Sequence, residues 1–334
     1  MNRREWMVWA SAAGLGGAST LASAQARRYE PEPGDWRRFE VTTTVELRDG
    51  KGATRVWVPL PAVDREFQQS MDHQWSTNAN QARVMSDPRF GASMLVADFD
   101  AGIAQPRLAV TSSVRTRSRA VDWQRPQPAN EDAATLDRWI QPTELMPTDG
   151  IVRSTAREAI GDARTDEEKV RRLYDWVVSR TYREPKVRGC GVGDIKTMLE
   201  TGNLSGKCAD INALFVGLCR AAGIPARDIY GVRLVPSEFG YKELGANPAS
   251  LKGAQHCRAE VYLKGHGWVA MDPADVTKVM RQETPEWIKD AGHPIVAPVR
   301  KALFGSWEGN WMGYNSASDI ALPGAKQKKL AFFM

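Results

Sequence analysis

Cys208 occupies a position at which a thiol can become a nucleophile. It follows the glycine-rich stretch GNLSGK (202–207) and begins a run of apolar residues at helical spacing that ends at Gly223 and Pro225. This pattern predicts a helix that starts at Cys208. Free backbone N–H groups and the positive end of a helix favour a thiolate, and can lower a thiol pKa from about 8.5 to roughly 3.5–7.5. The alternative is a small buried apolar residue.

A thiolate nucleophile needs a base, and the base needs an acceptor that orients it. Among the four histidines, His256 begins a segment that alternates like a β-strand at 256–263. A turn at Gly265–Gly267 and a second strand at 268–272 follow. The segment therefore predicts a β-hairpin with His256 at its open end. We expect His73 and His293 at the surface and His266 in the turn.

The length of the hairpin turn decides whether Asp272 can reach His256. A three-residue turn would pair residue 260 with residue 272 and place Asp272 on the face that carries His256. A turn of two or four residues would place it on the opposite face. Arg258 and Glu260 share the His256 face, where we expect them to form a structural ion pair; a role in shaping the cleft is the alternative.

The other cysteines have less favourable positions. Cys219 lies inside the predicted helix and is expected in the core, and Cys257 points away from His256 on the strand. Cys190, in the loop RGCGVGD, either lines the site or pairs with Cys257. A zinc site built from all four cysteines lacks CxxC or HxxxH spacing, so we expect no metal. Asp210 is expected to complement the positive helix end.

The elements around these residues divide the chain into two parts. Strand patterns with turn residues between them predict an antiparallel β-sandwich over 36–123, and a polar, Pro-containing boundary follows at 124–134. Helical patterns then predict an α+β domain at 135–320 with a C-terminal extension. The predicted strands are 39–47, 53–61, 92–99 and 107–118, and the predicted helices include 151–160 and 166–181.

The N-terminus has the pattern of an export signal at residues 1–26. It combines Arg3 and Arg4, a moderately apolar run, and small residues before a cleavage site near Ala26. The paired arginines favour a twin-arginine signal, and a general secretory signal is the alternative. The run is too rich in Gly, Ser and Ala for a membrane span. Residues 27–35 are predicted to be a Pro-rich linker, and the mature protein is expected outside the cytoplasm, in the periplasm or beyond.

The charge of the chain argues against a nucleic-acid partner. Lys and Arg number 45 and Asp and Glu number 40, which gives a net charge of +5 without a long basic run. Binding to a phosphate backbone requires cations clustered on one face. We also expect no cofactor, and the oligomeric state is left open.

The order of these motifs resembles the transglutaminase-like branch of the papain-type thiol enzymes, including its bacterial exported members. The resemblance rests on a helix beginning at Cys208 and closed by GIPAR (223–227), then His256 at a strand start, then GWV (267–269) before Asp272. It is densest over about 165–281. It implies an N-terminal antiparallel β-sandwich followed by a transglutaminase-like, papain-like α+β core.

The resemblance also implies roles for individual residues. Cys208 would be the nucleophile, His256 the base and acid, and Asp272 the orienting group of a triad that acts through a thioester. The oxyanion would be held by the backbone N–H of Cys208 and a second donor, for which Asn203 is the candidate. The expected substrate is a protein, peptide or cell-wall amide, with water or an amine as acceptor. A binding or scaffold protein that keeps the fold without turnover is the alternative.

Overall fold

The computed structural model describes residues 27–48, 52–126 and 129–334. The predicted export signal at 1–26 lies outside the described residues. The described chain combines helices with several antiparallel sheets, so the predicted α+β class is confirmed.

Two three-stranded antiparallel sheets form the N-terminal part, in the orders β1-β6-β3 and β2-β5-β4. Val58, Phe99 and Leu108 come from both sheets and share one apolar cluster, so the sheets face each other. Burying each such side chain contributes about 1.5–3 kcal/mol. The strands are β1 (Arg37–Glu46), β2 (Thr54–Pro59), β3 (Gln68–Thr77), β4 (Gln81–Ser86), β5 (Ser93–Phe99) and β6 (Arg107–Thr116).

The sequence patterns did not predict β3 and β4. β3 has the sequence QQSMDHQWST and is largely exposed, so it lacks the apolar alternation by which a half-buried strand is recognised. Its pairing with β6 holds it in the sheet, and His73 Nδ1 contacts Ser112 Oγ at 2.9 Å across that pair. Long-range backbone pairing therefore overrides local composition here.

A four-stranded antiparallel sheet and a buried helix form the centre of the C-terminal part. The sheet has the order β12-β11-β10-β14, and helix α5 packs against β10 and β11. The helices are α1 (Ala133–Arg138), α2 (Gly150–Ile160), α3 (Asp166–Arg180), α4 (Ile195–Thr201), α5 (Cys208–Ala221), α6 (Pro273–Gln282) and α7 (Ala297–Ala302), with a 3-10 turn at Lys242–Leu244. β7 (Arg119–Ala120) follows β6 at the end of the N-terminal part. The strands of the C-terminal part are β8 (Tyr182–Arg183), β9 (Ser205–Gly206), β10 (Ala226–Arg233), β11 (Gln255–Leu263), β12 (Gly267–Met271), β13 (Ser306–Trp307), β14 (Trp311–Asn315), β15 (Ser318–Ile320) and β16 (Leu330–Phe332).

The helix bounds agree with the sequence patterns because local signals set them. α3 begins where the Thr165 hydroxyl accepts from the Glu168 backbone N–H while the Glu168 side chain accepts from the Thr165 N–H. This reciprocal cap satisfies donors that the helix cannot pair internally. α5 is buried from Cys208 through Arg220, which makes it the central helix of the core.

The N-terminal and C-terminal parts share apolar surfaces. Val41 and Val114 of the β1–β6 pair pack with Val232 and Met312 of the larger sheet. The C-terminal residues also cross to the N-terminal part, where Ile320 belongs to one cluster with residues of β5. β7 and β13 pair as well. The two parts are therefore joined by packing as well as by chain.

The predicted linker at 27–35 is wrong for its first half. Tyr29 is buried and meets the rings of Phe239 and Tyr241 edge-on, at centroid distances of 5.0 and 5.5 Å. Arg27 forms an ion pair of 2.5 Å with Glu283. The segment is anchored because one aromatic residue fills a pocket that the proline content did not reveal. Among the described residues, no helix has the length and apolar character needed to span a membrane.

Candidate active site

The hairpin at the centre of the site has a register different from the one predicted. Glu260 pairs with Ala270 and Leu263 with Gly267, so the three-residue turn is 264–266 rather than 265–267. Gly267 adopts φ +70, a left-handed conformation that suits glycine. The expected pairing of 260 with 272 is therefore wrong by two residues. A shift of two preserves the strand face, so Asp272 still faces His256.

His256 and Asp272 form a buried contact at the open end of this hairpin. His256 Nε2 lies 2.7 Å from Asp272 Oδ2, and the two residues are 1% and 0% exposed. Asp272 also begins α6, where its Oδ1 accepts from the Asp275 backbone N–H at 3.1 Å. The backbone carbonyl of His256 accepts from Trp311 Nε1 at 2.9 Å. These contacts fix both the ring and the carboxylate.

Cys208 lies at the first position of α5 and is 2% exposed. Hydrogen bonds with the Cys190 and Cys257 thiols hold the pKa of Cys208 well below its usual value against the effect of burial, and His256 lowers it further. Burial and Arg233 lower the pKa of His256, but Asp275 and Asp272 outweigh them and raise it to about 9. This environment favours a thiolate beside an imidazolium at neutral pH.

A second carboxylate, which the sequence analysis did not identify, faces the same ring. Asp275 Oδ2 lies 3.3 Å from His256 Nε2, and Asp275 forms an ion pair with Arg233. Burial raises the pKa of Asp275, but Arg233 and His256 more than offset this and hold it well below its usual range. Burial and the charge of Asp275 raise the pKa of Asp272. Asp275 lies one helical turn beyond Asp272, a spacing that could have identified it.

Asn212 makes further contacts in the site that the sequence patterns did not predict. It lies four residues after Cys208 on α5 and donates through Nδ2 to the Cys257 carbonyl at 2.9 Å and to Asp272 Oδ1 at 3.2 Å. Its Oδ1 accepts from the Ala274 backbone N–H at 3.1 Å. One fully buried amide thus joins α5, β11 and the start of α6. A polar residue one turn after Cys208 in an apolar helix was the available signal.

Asp210 does more than complement the helix end. Its carboxylate accepts from the backbone N–H groups of Lys207 at 2.9 Å, Val192 at 2.8 Å and Gly193 at 2.9 Å. Gly191 has φ +98, and a Cβ there would lie 1.9 Å from Asp210 Oδ2. The loop that carries Cys190 is therefore fastened to the first turn of α5 by one carboxylate, with glycine required at the closest approach.

The four cysteines are all free thiols, so the Cys190–Cys257 disulfide is not formed. Cys190 and Cys257 adjoin Cys208, and both thiols have a raised pKa: the hydrogen bond to Cys208 contributes most at Cys190, and burial at Cys257. Cys219 lies eleven residues along α5 from Cys208, about 16 Å away at the rise of a helix. One zinc ion cannot bind all four.

Asn203, the expected second oxyanion donor, is exposed in the turn before β9. Its Oδ1 accepts from the Ser205 hydroxyl at 2.7 Å and from the Ser205 backbone N–H at 3.3 Å. These bonds leave its amide NH₂ as the group that would donate to an oxyanion. The structure gives no contact between Asn203 and Cys208, and the role stays a prediction.

The predicted ion pair between Arg258 and Glu260 is wrong. Glu260 binds Arg227 at 2.5 Å and also pairs with Arg119. Arg258 donates to the Glu308 carbonyl at 2.9 Å and lies 3.7 Å from Asp272 Oδ2. Residues two apart on one strand face lie about 6.6 Å apart, whereas Arg227 is the direct cross-strand neighbour of Glu260.

His256, Asp272 and Asp275 also offer ligand atoms within 4.8 Å of one another. Arg233 and Arg258 already place positive charge against the two carboxylates. A divalent cation would have to displace or repel these guanidinium groups. The arrangement fits a charged hydrogen-bond network better than a metal site.

Comparison with known proteins adds an independent observation. The Transglutaminase-like superfamily model matches residues 153–273, a range that includes Cys208, His256 and Asp272. An uncharacterized protein of Haemophilus influenzae is 36% identical over 305 residues, which cover 86% of this chain and 81% of that protein.

One solved structure supports the fold. The crystal structure of a candidate cysteine protease from Cytophaga hutchinsonii superposes with a TM-score of 0.55 at 17% identity, covering 89% of this chain and 97% of its own. The periplasmic domain of TgpA from Pseudomonas aeruginosa gives 0.36 at 20% identity, covering 84% and 81%. At such identities the likeness concerns the fold alone.

Proposed function

Because the chain belongs to the transglutaminase-like superfamily, we propose that it is an exported thiol enzyme that cleaves or transfers the acyl groups of protein, peptide or cell-wall amides. Members of this superfamily are typically cysteine protease-like enzymes or transamidases. The proposal assigns Cys208 as nucleophile, His256 as acid and base, and Asp272 as the orienting group. The export signal proposed at 1–26 would deliver the enzyme outside the cytoplasm.

The observation that carries the proposal is the position of the buried Cys208 at the start of α5 together with the buried contact between His256 and Asp272. Asp272 Oδ2 contacts Nε2 of His256 at 2.7 Å, the pKa of Cys208 is held low and that of His256 is raised to about 9. A nucleophile beside a base that a third group orients is the arrangement that nucleophilic catalysis requires. A structural cysteine would not need this charge distribution.

The reaction follows from these positions. The Cys208 thiolate attacks the amide carbonyl carbon, and the negative charge that develops on the carbonyl oxygen is stabilised by backbone N–H donors at the helix start. The C–N bond then breaks, and the leaving amine takes the proton of the His256 imidazolium. The neutral imidazole next accepts a proton from the incoming water or amine as it attacks the thioester. Cys208 leaves as the thiolate, and the product is an acid or a new amide.

Alkylation with iodoacetamide at pH 6, followed by mapping of the modified cysteine, tests the nucleophile. We expect Cys208 to react well above the rate of a free cysteine, because a thiol of ordinary pKa is almost fully protonated at this pH. Cys219 is the matched control, since burial alone raises its pKa. Equal, slow reaction of both would contradict the proposal.

A substrate screen tests turnover. Wild type and Cys208→Ala are compared on peptide and muropeptide amides, with and without an added primary amine. Cys208-dependent release of the leaving amine without added amine would indicate hydrolysis, and incorporation of the added amine would indicate transamidation. If Cys208 is unreactive and Cys208→Ala retains full binding of a partner, the scaffold alternative replaces the enzyme.

A further inference from the structure

Arg183 lies beside the strand that leads into Cys208. β8 and β9 pair in parallel, with Tyr182 opposite Ser205 and Arg183 opposite Gly206. The Glu184 backbone N–H continues this ladder to the Gly206 carbonyl at 2.8 Å. Gly206 is two residues before Cys208, so backbone pairing holds Arg183 next to the nucleophile turn.

The guanidinium of Arg183 has no carboxylate partner among the described residues. Its Nε donates to Gln282 Oε1 at 3.1 Å, a neutral amide that orients the group without neutralising it. The Cys208 hydrogen bond and burial raise the pKa of Cys190, and Arg183 is near enough to oppose that rise. The charge of Arg183 therefore reaches the Cys190 thiol, which adjoins Cys208.

An exposed aromatic pair continues from this arginine. The rings of Tyr182 and Trp287 are 5.5 Å apart and the residues are 37% and 40% exposed, unusual for large side chains. The Arg281 guanidinium lies 5.3 Å from the Trp287 ring centroid. Within the described part of the chain, Arg281 also has no acidic partner. The surface thus combines apolar rings with cations that have no acidic partner among the described residues: Arg183, Arg281 and Lys289, whose Nζ lies 5.5 Å from the Trp287 ring centroid.

We propose that Arg183 forms a subsite that binds a carboxylate of the substrate close to the scissile amide. This inference rests on the proposed function and names its substrate class: an acidic peptide or another amide that carries a carboxylate. Arg183 binds the carboxylate, because its planar fork matches two carboxylate oxygens. Arg281, which precedes Gln282 in α6, adds attraction over a longer distance.

Two small alkylating reagents test the subsite without a known substrate. Iodoacetate and iodoacetamide both form a C–S bond with the Cys208 thiolate and release iodide, but only iodoacetate carries a carboxylate. The ratio of their rates at Cys208 therefore reports attraction of an anion, while the iodoacetamide rate alone reports the thiolate. His256 contributes to the ratio equally in all variants that retain it.

The decisive variant is Arg183→Gln, with Arg183→Lys as the conservative variant and Arg157→Gln on the exposed face of α2 as the matched control. We expect Arg183→Gln to lower the iodoacetate-to-iodoacetamide ratio about five- to tenfold with the iodoacetamide rate unchanged, as for loss of one partly buried charge. Arg183→Lys recovers part of the ratio, and Arg157→Gln leaves it at the wild-type value. An unchanged ratio in Arg183→Gln overturns the subsite.

A pair of peptides that differ only in Glu against Gln beside the cleaved bond extends the test to turnover. We expect wild type to favour the Glu peptide through KM, and Arg183→Gln to remove this preference with kcat within about twofold. Equal use of both peptides by wild type overturns the subsite while leaving the thiol enzyme intact. An unreactive Cys208 in the iodoacetamide experiment contradicts the proposed function itself, so the two failures are distinguishable.

Discussion

β11 carries two buried clusters of charge on the same face, and they differ in how completely the charges are matched. The His256 cluster comprises His256, Asp272, Asp275, Arg233 and Arg258, and the Glu260 cluster comprises Glu260, Arg227 and Arg119. His256 and Glu260 are four residues apart, about 13 Å along the strand. Both side chains are at most 1% exposed.

In the Glu260 cluster the carboxylate charge is fully compensated by arginines. Glu260 binds two arginines, and the Arg227 guanidinium also lies 3.7 Å from the Trp268 ring centroid. Burial raises the pKa of Glu260, but Arg227 and Arg119 outweigh it and hold that pKa at about 2. Such a group stays ionised at any pH at which the protein works, so it has the properties of a structural ion pair.

The His256 cluster has competing charges instead. Two carboxylates face one imidazole, and the pKa of Asp272 is raised while that of Asp275 is lowered. Groups whose environments push their pKa values apart are typical of catalytic sites. Both clusters are buried, so burial of charge does not identify the site by itself. The way in which the neighbouring charges compete separates the two clusters.

The largest expected effect that would test this contrast is on turnover. We predict that Asp272→Asn lowers kcat by roughly 10³–10⁴-fold, because the imidazolium loses both its orienting acceptor and a stabilising charge. Asp228→Asn is the matched control, since Asp228 is also buried and its pKa is raised to about 7 by burial. Turnover on the amide found in the screen is the measurement. Near wild-type kcat in Asp272→Asn would refute the role of this residue.

The next effect is on stability. We predict that Glu260→Gln lowers the free energy of unfolding by about 3–5 kcal/mol, because Arg227 is left buried without its countercharge. Glu66→Gln is the control: Glu66 also pairs with Arg119 but its side chain is 57% exposed, so about 1 kcal/mol or less is expected. Urea unfolding measures both, and equal losses would remove the distinction. Folded Glu260→Gln should keep the iodoacetamide reactivity of Cys208.

The two clusters should also lose their stabilisation at opposite ends of the pH range. The folded-state pKa of His256, about 9, exceeds the unfolded value of about 6.5. Its contribution is therefore complete below about pH 6.5 and lost as the pH rises through about 9. The folded-state pKa of Glu260 is about 2, below its unfolded value, so its contribution is lost as the pH falls through about 2.

Unfolding free energies measured across pH check this expectation. His256→Gln should flatten the alkaline decline, and Glu260→Gln should flatten the acid decline. Turnover of the wild type should fall above about pH 9 as His256 loses the proton that it gives to the leaving amine. An alkaline decline that persists unchanged in His256→Gln would assign it to another group.

The smallest effect concerns the thiols beside the nucleophile. We predict that Cys190→Ala raises the pKa of Cys208, because the hydrogen bond from Cys190 is the largest influence that lowers it. The pH dependence of the iodoacetamide rate at Cys208 is the measurement, and Cys219→Ala is the control. A lowered pKa in Cys190→Ala would contradict this account.

The local patterns of the sequence were enough to predict the helix at Cys208, the strand at His256 and the face of Asp272. Helical and strand periodicities are properties of the local chain, so they can be recognised without knowing which residues pack against them. The predicted face of Asp272 was correct although the predicted hairpin register was wrong, because the register error was an even number of residues. The two polar strands β3 and β4 gave no such pattern.

Only the tertiary structure decided which groups meet. It paired Glu260 with Arg227 rather than Arg258, because β10 lies beside β11. It brought Asn212 to Asp272, Asp275 to His256 and Arg233 to Asp275, from three separate elements, α5, α6 and β10. Such contacts depend on how distant segments pack, and neither the spacing nor the type of a residue encodes its partner. The sequence determined the candidate reacting groups, and the packing determined the charges around them.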